Sequence, residues 1–174
     1  MLELAILGFL YDAPLHGYEL RKRITALTGH VRPVAESTLY PAIKRLEQGG
    51  LLARATEPGA VAAPRHTLTL TEDGRRELRR RLADPVQRDI SDENRWFTVL
   101  AFLRHLEDPA AQSAVLRRRL AFLEEPASFF YEGDRPLRAE EVDDPFRRGI
   151  LTIARATSRA ELTWLRDTLA SLGG

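Results

Sequence analysis

Apolar residues recur at helical spacing through the first third of the chain. Leu2, Ile6, Phe9 and Leu10 predict a helix over Leu2–Tyr11, ended by Pro14 because proline costs a helix interior one hydrogen bond. Leu20, Ile24 and Leu27 form one stripe of a second helix from about Gly17 to Leu27, with Gly29 placed as its C-cap. A third helix begins near Ser37–Thr38 and runs to Gln48, its buried face Leu39, Ile43 and Leu46. Pro41 is expected in its first turn, and Gly49–Gly50 stops it.

The period then changes. Leu52–Glu57 reads as a strand, and His66–Thr71 alternates as a half-buried one. Pro58–Gly59 and Pro64 punctuate the turn between them, so the pair is expected to form a hairpin. Thr71 reads as an N-cap followed by Glu72 and Asp73, opening a fourth helix through Leu78 and Leu82. Three helices, a hairpin and a helix follow the order of a winged helix-turn-helix. Residues 84–95 are polar, contain Pro85 and are expected to be a linker. The remainder reads as helical: Trp96, Leu100 and Leu103 to Asp108–Pro109, then Leu116, Leu120 and Leu123 to Pro126. A loop-like stretch over 133–145 precedes a long helix over about Phe146–Leu172. That last helix carries two seams, Ile150, Ile153, Thr157, Ala160, Trp164 and Leu162, Leu165, Leu169, Leu172. It should therefore touch two neighbours, one of them in another subunit. The expected fold is mostly α (α+β): a winged helix over 1–83, a linker over 84–95, and a helical dimerisation region over 96–174.

Charge sharpens this division. Residues 1–83 hold 13 Lys+Arg against 9 Asp+Glu, a balance of +4, whereas residues 84–174 hold 13 against 16. A basic first half suits a polyanion. Of the 26 cations all but Lys22 and Lys44 are arginine, which suits phosphate and base contacts as well as a GC-rich genome. The polar side of the third helix shows Thr38, Tyr40, Pro41, Lys44 and Arg45, beside the helix start at Ser37. Cations that donate to guanine edges or phosphates, hydroxyls that reach phosphates and methyl-sized contacts for thymine fit a major groove of double-stranded DNA. An ordinary solvated helix face has the same look. Arg65 and His66 stand where the hairpin returns, opposite Arg54, and a wing so furnished can grip the backbone. Arg75, Arg76, Arg79, Arg80 and Arg81 read instead as solvated or paired.

The segments LELAILGFL, HGYEL, ESTLYPAIKRLEQGGLL and PRHTLTLTEDGRREL together resemble the PadR family of bacterial transcriptional regulators over nearly all of residues 2–82. The tail FRRGILTIARATSRAELTWLRDTL is similar to the helical C-terminal region of its longer members. The resemblance implies a winged-helix homodimer that binds operator DNA, usually as a repressor, often released by a small molecule. It also places His16, Gly17 and Tyr18 at a phosphate contact and Arg65 on the wing. The wing tip Gly59–Ala63 departs from the pattern, being longer and more apolar. Trp96, Phe97 and Trp164 are candidates to line a site for a small aromatic effector. Core packing is the competing role for these rings.

Other classes are disfavoured. The chain has no cysteine, excluding disulfides and thiol chemistry, and its four histidines lack metal-ligand spacing. No phosphate loop, nucleophile elbow or paired-carboxylate segment appears, so neither an enzyme nor a cofactor is expected. No apolar stretch is long enough to cross a bilayer, no secretion signal precedes the first helix, and a cytoplasmic location is the expectation. The alternative to a DNA partner is a winged helix used as a protein-interaction module.

Overall fold

The computed structural model describes residues 1–27, 34–57, 65–125 and 128–173. Gly29, the hairpin turn at Pro58, Gly59 and Pro64, the apolar tip and Pro126 lie outside the described residues. The chain forms two compact units, Met1–Glu107 and Asp108–Gly174.

In the first unit, α1 (Leu2–Asp12), α2 (Gly17–Leu27), α3 (Glu36–Gln48) and α4 (Glu72–Ala83) enclose one core with a small sheet. Helix α1 is apolar almost all round. Leu4 through Gly8 and Leu10 are buried, not the narrower stripe that periodicity suggests, and a helix of that kind belongs inside. It touches α2, α3, α4 and the sheet. Strands β2 (Leu52–Glu57) and β3 (Arg65–Leu70) pair antiparallel from Leu52↔Leu70 to Glu57↔Arg65. A two-residue strand β1 (Leu15–His16) joins the other edge of β3, setting His16 opposite Thr67. The backbone leaves α3 through Gly50, whose φ of +71° favours glycine, while the Leu51 N–H donates to the Leu46 carbonyl at 2.9 Å. Thr71 caps α4 as expected: its hydroxyl accepts from the Gly74 N–H at 3.0 Å and donates to the Gly50 carbonyl at 2.7 Å.

The stretch expected as a linker is ordered differently. Helix α5 (Gln87–Ser91) and the start of α6 (Glu93–Phe102) occupy it, and the compact unit ends at Glu107. Two buried side chains, Pro85 and Ile90, pin the polar run, Asp92 caps α6, and the Arg95 Nε–H donates to Asp89 at 2.7 Å. Trp96, Val99 and Phe102 are buried, and α6 packs on α1 where a Cβ at Gly8 would fall 2.4 Å from the Phe102 ring. Beyond Phe102 the helix tightens to a 3-10 turn, Leu103–Leu106. His105 there lies 4.2 Å from the Tyr11 ring, and burial pushes its pKa down.

The arginines of α4 are engaged. Arg75 stacks over Tyr11, Arg79 donates to the Tyr11 hydroxyl at 2.6 Å, and Arg76 pairs with Asp73. Glu77 accepts from Arg80 at 2.8 and 2.9 Å and from Arg81 at 2.6 Å. The Arg80 hydrogen bond first, then that of Arg81, holds its carboxyl at about 2 against partial burial.

The second unit is a helical pair, α7 (Pro109–Glu124) and α8 (Pro145–Leu172), with a small hairpin of β4 (Tyr131–Glu132) and β5 (Arg135–Pro136) between them. Asp108–Pro109 opens α7 instead of closing a helix: Asp108 accepts from the Ala110 N–H at 2.9 Å, and proline fits the first turn. Asp144–Pro145 opens α8 likewise. Leu165 is buried, and Leu162, Leu169 and Leu172 are half-buried, whereas Ile150, Ile153, Thr157, Ala160 and Trp164 are exposed. Between the helices the guanidinium of Arg119 donates to both carboxylate oxygens of Glu161 at 2.7 and 2.8 Å, both side chains being buried or nearly so.

Two stability predictions follow from α4. A Cβ at Gly74 would fall 2.2 Å from the Leu51 carbonyl oxygen, a backbone atom that cannot step aside. Gly74→Ala should therefore cost about 1–3 kcal/mol in urea unfolding, the usual penalty of overpacking. Glu77 titrates near 2 when folded and near 4.5 otherwise, so its contribution is full above pH 4.5 and lost as pH falls through 2. The urea midpoint of Glu77→Gln should accordingly fall less than that of the wild type between those two pH values.

Candidate nucleic-acid interface

Helix α3 buries Leu39, Ala42, Ile43 and Leu46 and exposes Ser37, Thr38, Tyr40, Pro41, Lys44, Arg45 and Gln48. At about 100° per residue, the residues opposite the buried stripe are Ser37, Pro41, Lys44 and Gln48. Tyr40 and Glu47 form one flank, Thr38 and Arg45 the other. Gln48 is the member that the sequence analysis missed, although the spacing Ser37, Pro41, Lys44, Gln48 was there to be read. Because α3 starts at Glu36, Pro41 sits past the first turn, contrary to expectation. It lacks the N–H that would bond the Ser37 carbonyl, so an acceptor is freed on the same outward stripe.

The Tyr40 flank faces a cleft of about 450 Å³ lined by His16, Gly17, Tyr18, Tyr40, Ile43, Arg54, His66 and Leu68. Three elements meet there. The pairing of β1 with β3 sets the His16 Nδ1 3.3 Å from the His66 carbonyl oxygen. Gly17 opens α2 under Tyr40, whose ring would lie 3.5 Å from a Cβ at that position. Tyr40 is 48% exposed. Arg54 reaches the cleft from β2 and donates to both oxygens of Glu47 at 2.7 and 2.9 Å, a pairing that raises its pKa further.

Five of the sequence-predicted residues, His16, Gly17, Tyr18, Tyr40 and His66, thus converge on one cleft. Ser37, Thr38, Pro41, Lys44 and Arg45 lie on the exposed surface of the same helix, and Arg65 begins β3. Arg54, expected opposite Arg65 and His66 on the hairpin, belongs to the cleft. The cations differ in their freedom. Arg21 is tied to Glu36 at 2.6 Å and Arg45 to Glu3 at 3.1 Å, while among the described residues Lys44 has no carboxylate partner. Of the aromatic candidates, Trp96 is fully buried in the first unit, where Phe97 is exposed, and Trp164 is exposed in the second. Among the described residues no helix is long and apolar enough to cross a membrane.

Three helices, an antiparallel hairpin and an outward third helix beside a polar cleft define a winged-helix module. Residues 6–80 match the Transcriptional regulator PadR-like family, whose members are regulators and not enzymes. A curated relative, the negative transcriptional regulator PadR of Bacillus subtilis (strain 168), is 28% identical over 95 residues, 53% of this chain and 52% of its own. The chain thus spans about half the length of that relative. A transcriptional regulator from Clostridium thermocellum is 28% identical over 45% of this chain and 76% of its own, with a TM-score of 0.42. The Bacillus subtilis PadR crystallised with operator DNA is 23% identical over 98% of each chain, with a TM-score of 0.45.

Proposed function

We propose that this protein is a homodimeric repressor that sets α3 of each subunit into the major groove of a palindromic operator and is released by a small aromatic ligand. The observation that carries the DNA contact is the exposed stripe Ser37, Pro41, Lys44, Gln48 running beside the cleft of His16, Tyr18, Tyr40, Arg54 and His66. The stripe offers donors to base edges; the cleft offers hydroxyl, imidazole and guanidinium groups to a backbone phosphate. The outer seam of α8 supports the dimer. Phe146 and Ile153, 83% and 70% exposed, head a line of large apolar side chains that water does not favour. A two-fold axis would place the recognition helices about 34 Å apart, one turn of the duplex. Repression is supported by the name of the Bacillus subtilis relative. For the effector, exposed Trp164 is the candidate stacking surface, Trp96 being core.

The test is a mobility shift on the DNA upstream of its own gene, over a salt series. Affinity should fall by roughly 0.9 log units per log unit of salt for each phosphate engaged. Lys44→Ala with Arg45→Ala should weaken operator binding by about tenfold or more at unchanged thermal stability. Unchanged affinity would refute the assigned face, and absence of any binding at low salt would favour a protein partner. Quenching of Trp164, 41% exposed, by a panel of phenolic acids reads out the effector.

A further inference from the structure

Two glutamates stand behind the arginines on either flank of α3. Glu3, in the first turn of α1, accepts from the Arg45 Nε–H and Nη2–H at 3.2 and 3.1 Å through one oxygen, and from Arg81 at 3.2 Å through the other. Glu47 holds the matching edge of Arg54 on the cleft side. In each pair the arginine is the more exposed partner, 61% against 29% and 41% against 21%. The carboxylate therefore sits inward, and the outer edge of the guanidinium faces solvent, where a phosphate can approach without displacing it. Ion pairs this exposed add little to folding stability, so holding the fold together does not explain them.

We propose that Glu3 and Glu47 are specificity residues of the DNA-contacting surface. Resting on the DNA-binding reading above, the inference is that they discount the sequence-independent attraction of Arg45 and Arg54 for phosphate. Binding to arbitrary DNA consists almost wholly of cation–phosphate attraction, so a fixed negative charge behind each arginine subtracts directly from it. Operator binding also draws on base-edge contacts of the outward stripe, centred on Lys44, which lacks such a partner among the described residues. In the fitted complex the glutamates return part of what they subtract, because each arginine is already ordered before it meets its phosphate. The discount thus falls mainly on the wrong sequences, and discrimination is gained by weakening competitors.

The test compares the full-length wild type, Glu3→Gln, Glu47→Gln and Asp73→Asn on two duplexes of equal length, the upstream DNA and its scrambled sequence, by fluorescence anisotropy over a salt series. Both glutamine variants keep the side-chain shape, and their melting curves verify folding. Each should bind the scrambled duplex several-fold tighter, with a salt slope steeper by up to roughly 0.9, while the upstream duplex gains less, so the ratio falls. Asp73→Asn makes the same change in net charge on α4, at an exposed pair with Arg76, and should leave the ratio at the wild-type value. The inference is overturned if the scrambled duplex gains nothing, if both duplexes gain equally, or if Asp73→Asn matches the glutamine variants. A wild type that binds neither duplex at low salt overturns the DNA-binding reading and this inference with it. Glutamine variants indistinguishable from a binding wild type overturn this inference alone.

Discussion

The seal between the apolar stripe of α3 and the core built on α1 is the constraint on which the rest of the first unit depends. Only one rotation of the helix puts Leu39, Ala42, Ile43 and Leu46 inside together. Each large apolar side chain so buried contributes about 1.5–3 kcal/mol, against about 0–1 kcal/mol for an exposed ion pair. Packing therefore decides what α3 presents, and charge is arranged around that decision. With the stripe inside, Lys44 and Gln48 face out, Tyr40 overhangs the cleft, and Arg45 swings toward the first turn of α1. An apolar α1 is the other half of the seal, since a helix with one polar face could not receive α2, α3, α4 and α6.

The arginine-rich composition takes on a different meaning once partners are known. Arg75 and Arg79 are spent on Tyr11, Arg80 and Arg81 on Glu77, and Arg45, Arg54 and Arg21 on glutamates reaching from other elements or other turns. A surplus of +4 in the first half is thus a poor measure of what a polyanion would meet. The outward centre of α3 carries its charge on lysine, a compact ammonium on a flexible stem, whereas the fixed and forked cations stand on the flanks.

How much of this was legible in the sequence follows from whether the signal was local. The bounds of α2 and β2 and the Thr71 cap were readable because period and caps lie within a few residues. The polar face of α3 was readable because one helix sets it. Strand β1 was not: two residues carry no periodicity, and it exists only because the edge of β3 offers a partner. Nor was the order over 84–95, where only Pro85 and Ile90 anchor a polar run. Asp–Pro at Asp108 reads as a stop, yet the same dipeptide serves to start a helix. The cleft joins His16 to His66, 50 residues apart, so only the family resemblance could have brought them together. The pairs Arg45–Glu3 and Arg119–Glu161 are equally non-local, and nothing in either neighbourhood announces the partner.

The second unit shows how two seams alike in spacing come to have different fates. On α8 the leucine seam and the Ile–Thr–Trp seam both recur every three or four residues, so period alone cannot choose which faces α7. The Arg119–Glu161 pair supplies a reason for choice. A buried arginine with its carboxylate absent would be very costly, so the arrangement that keeps them together excludes rotations of α8 that separate them. Such a pair adds little net stability but selects one packing, and that packing leaves Phe146, Ile150, Ile153 and Trp164 outside. A seam left outside by a lock of this kind is a defined surface rather than a remainder, and the proposed two-fold dimer asks that such a surface meet its own copy.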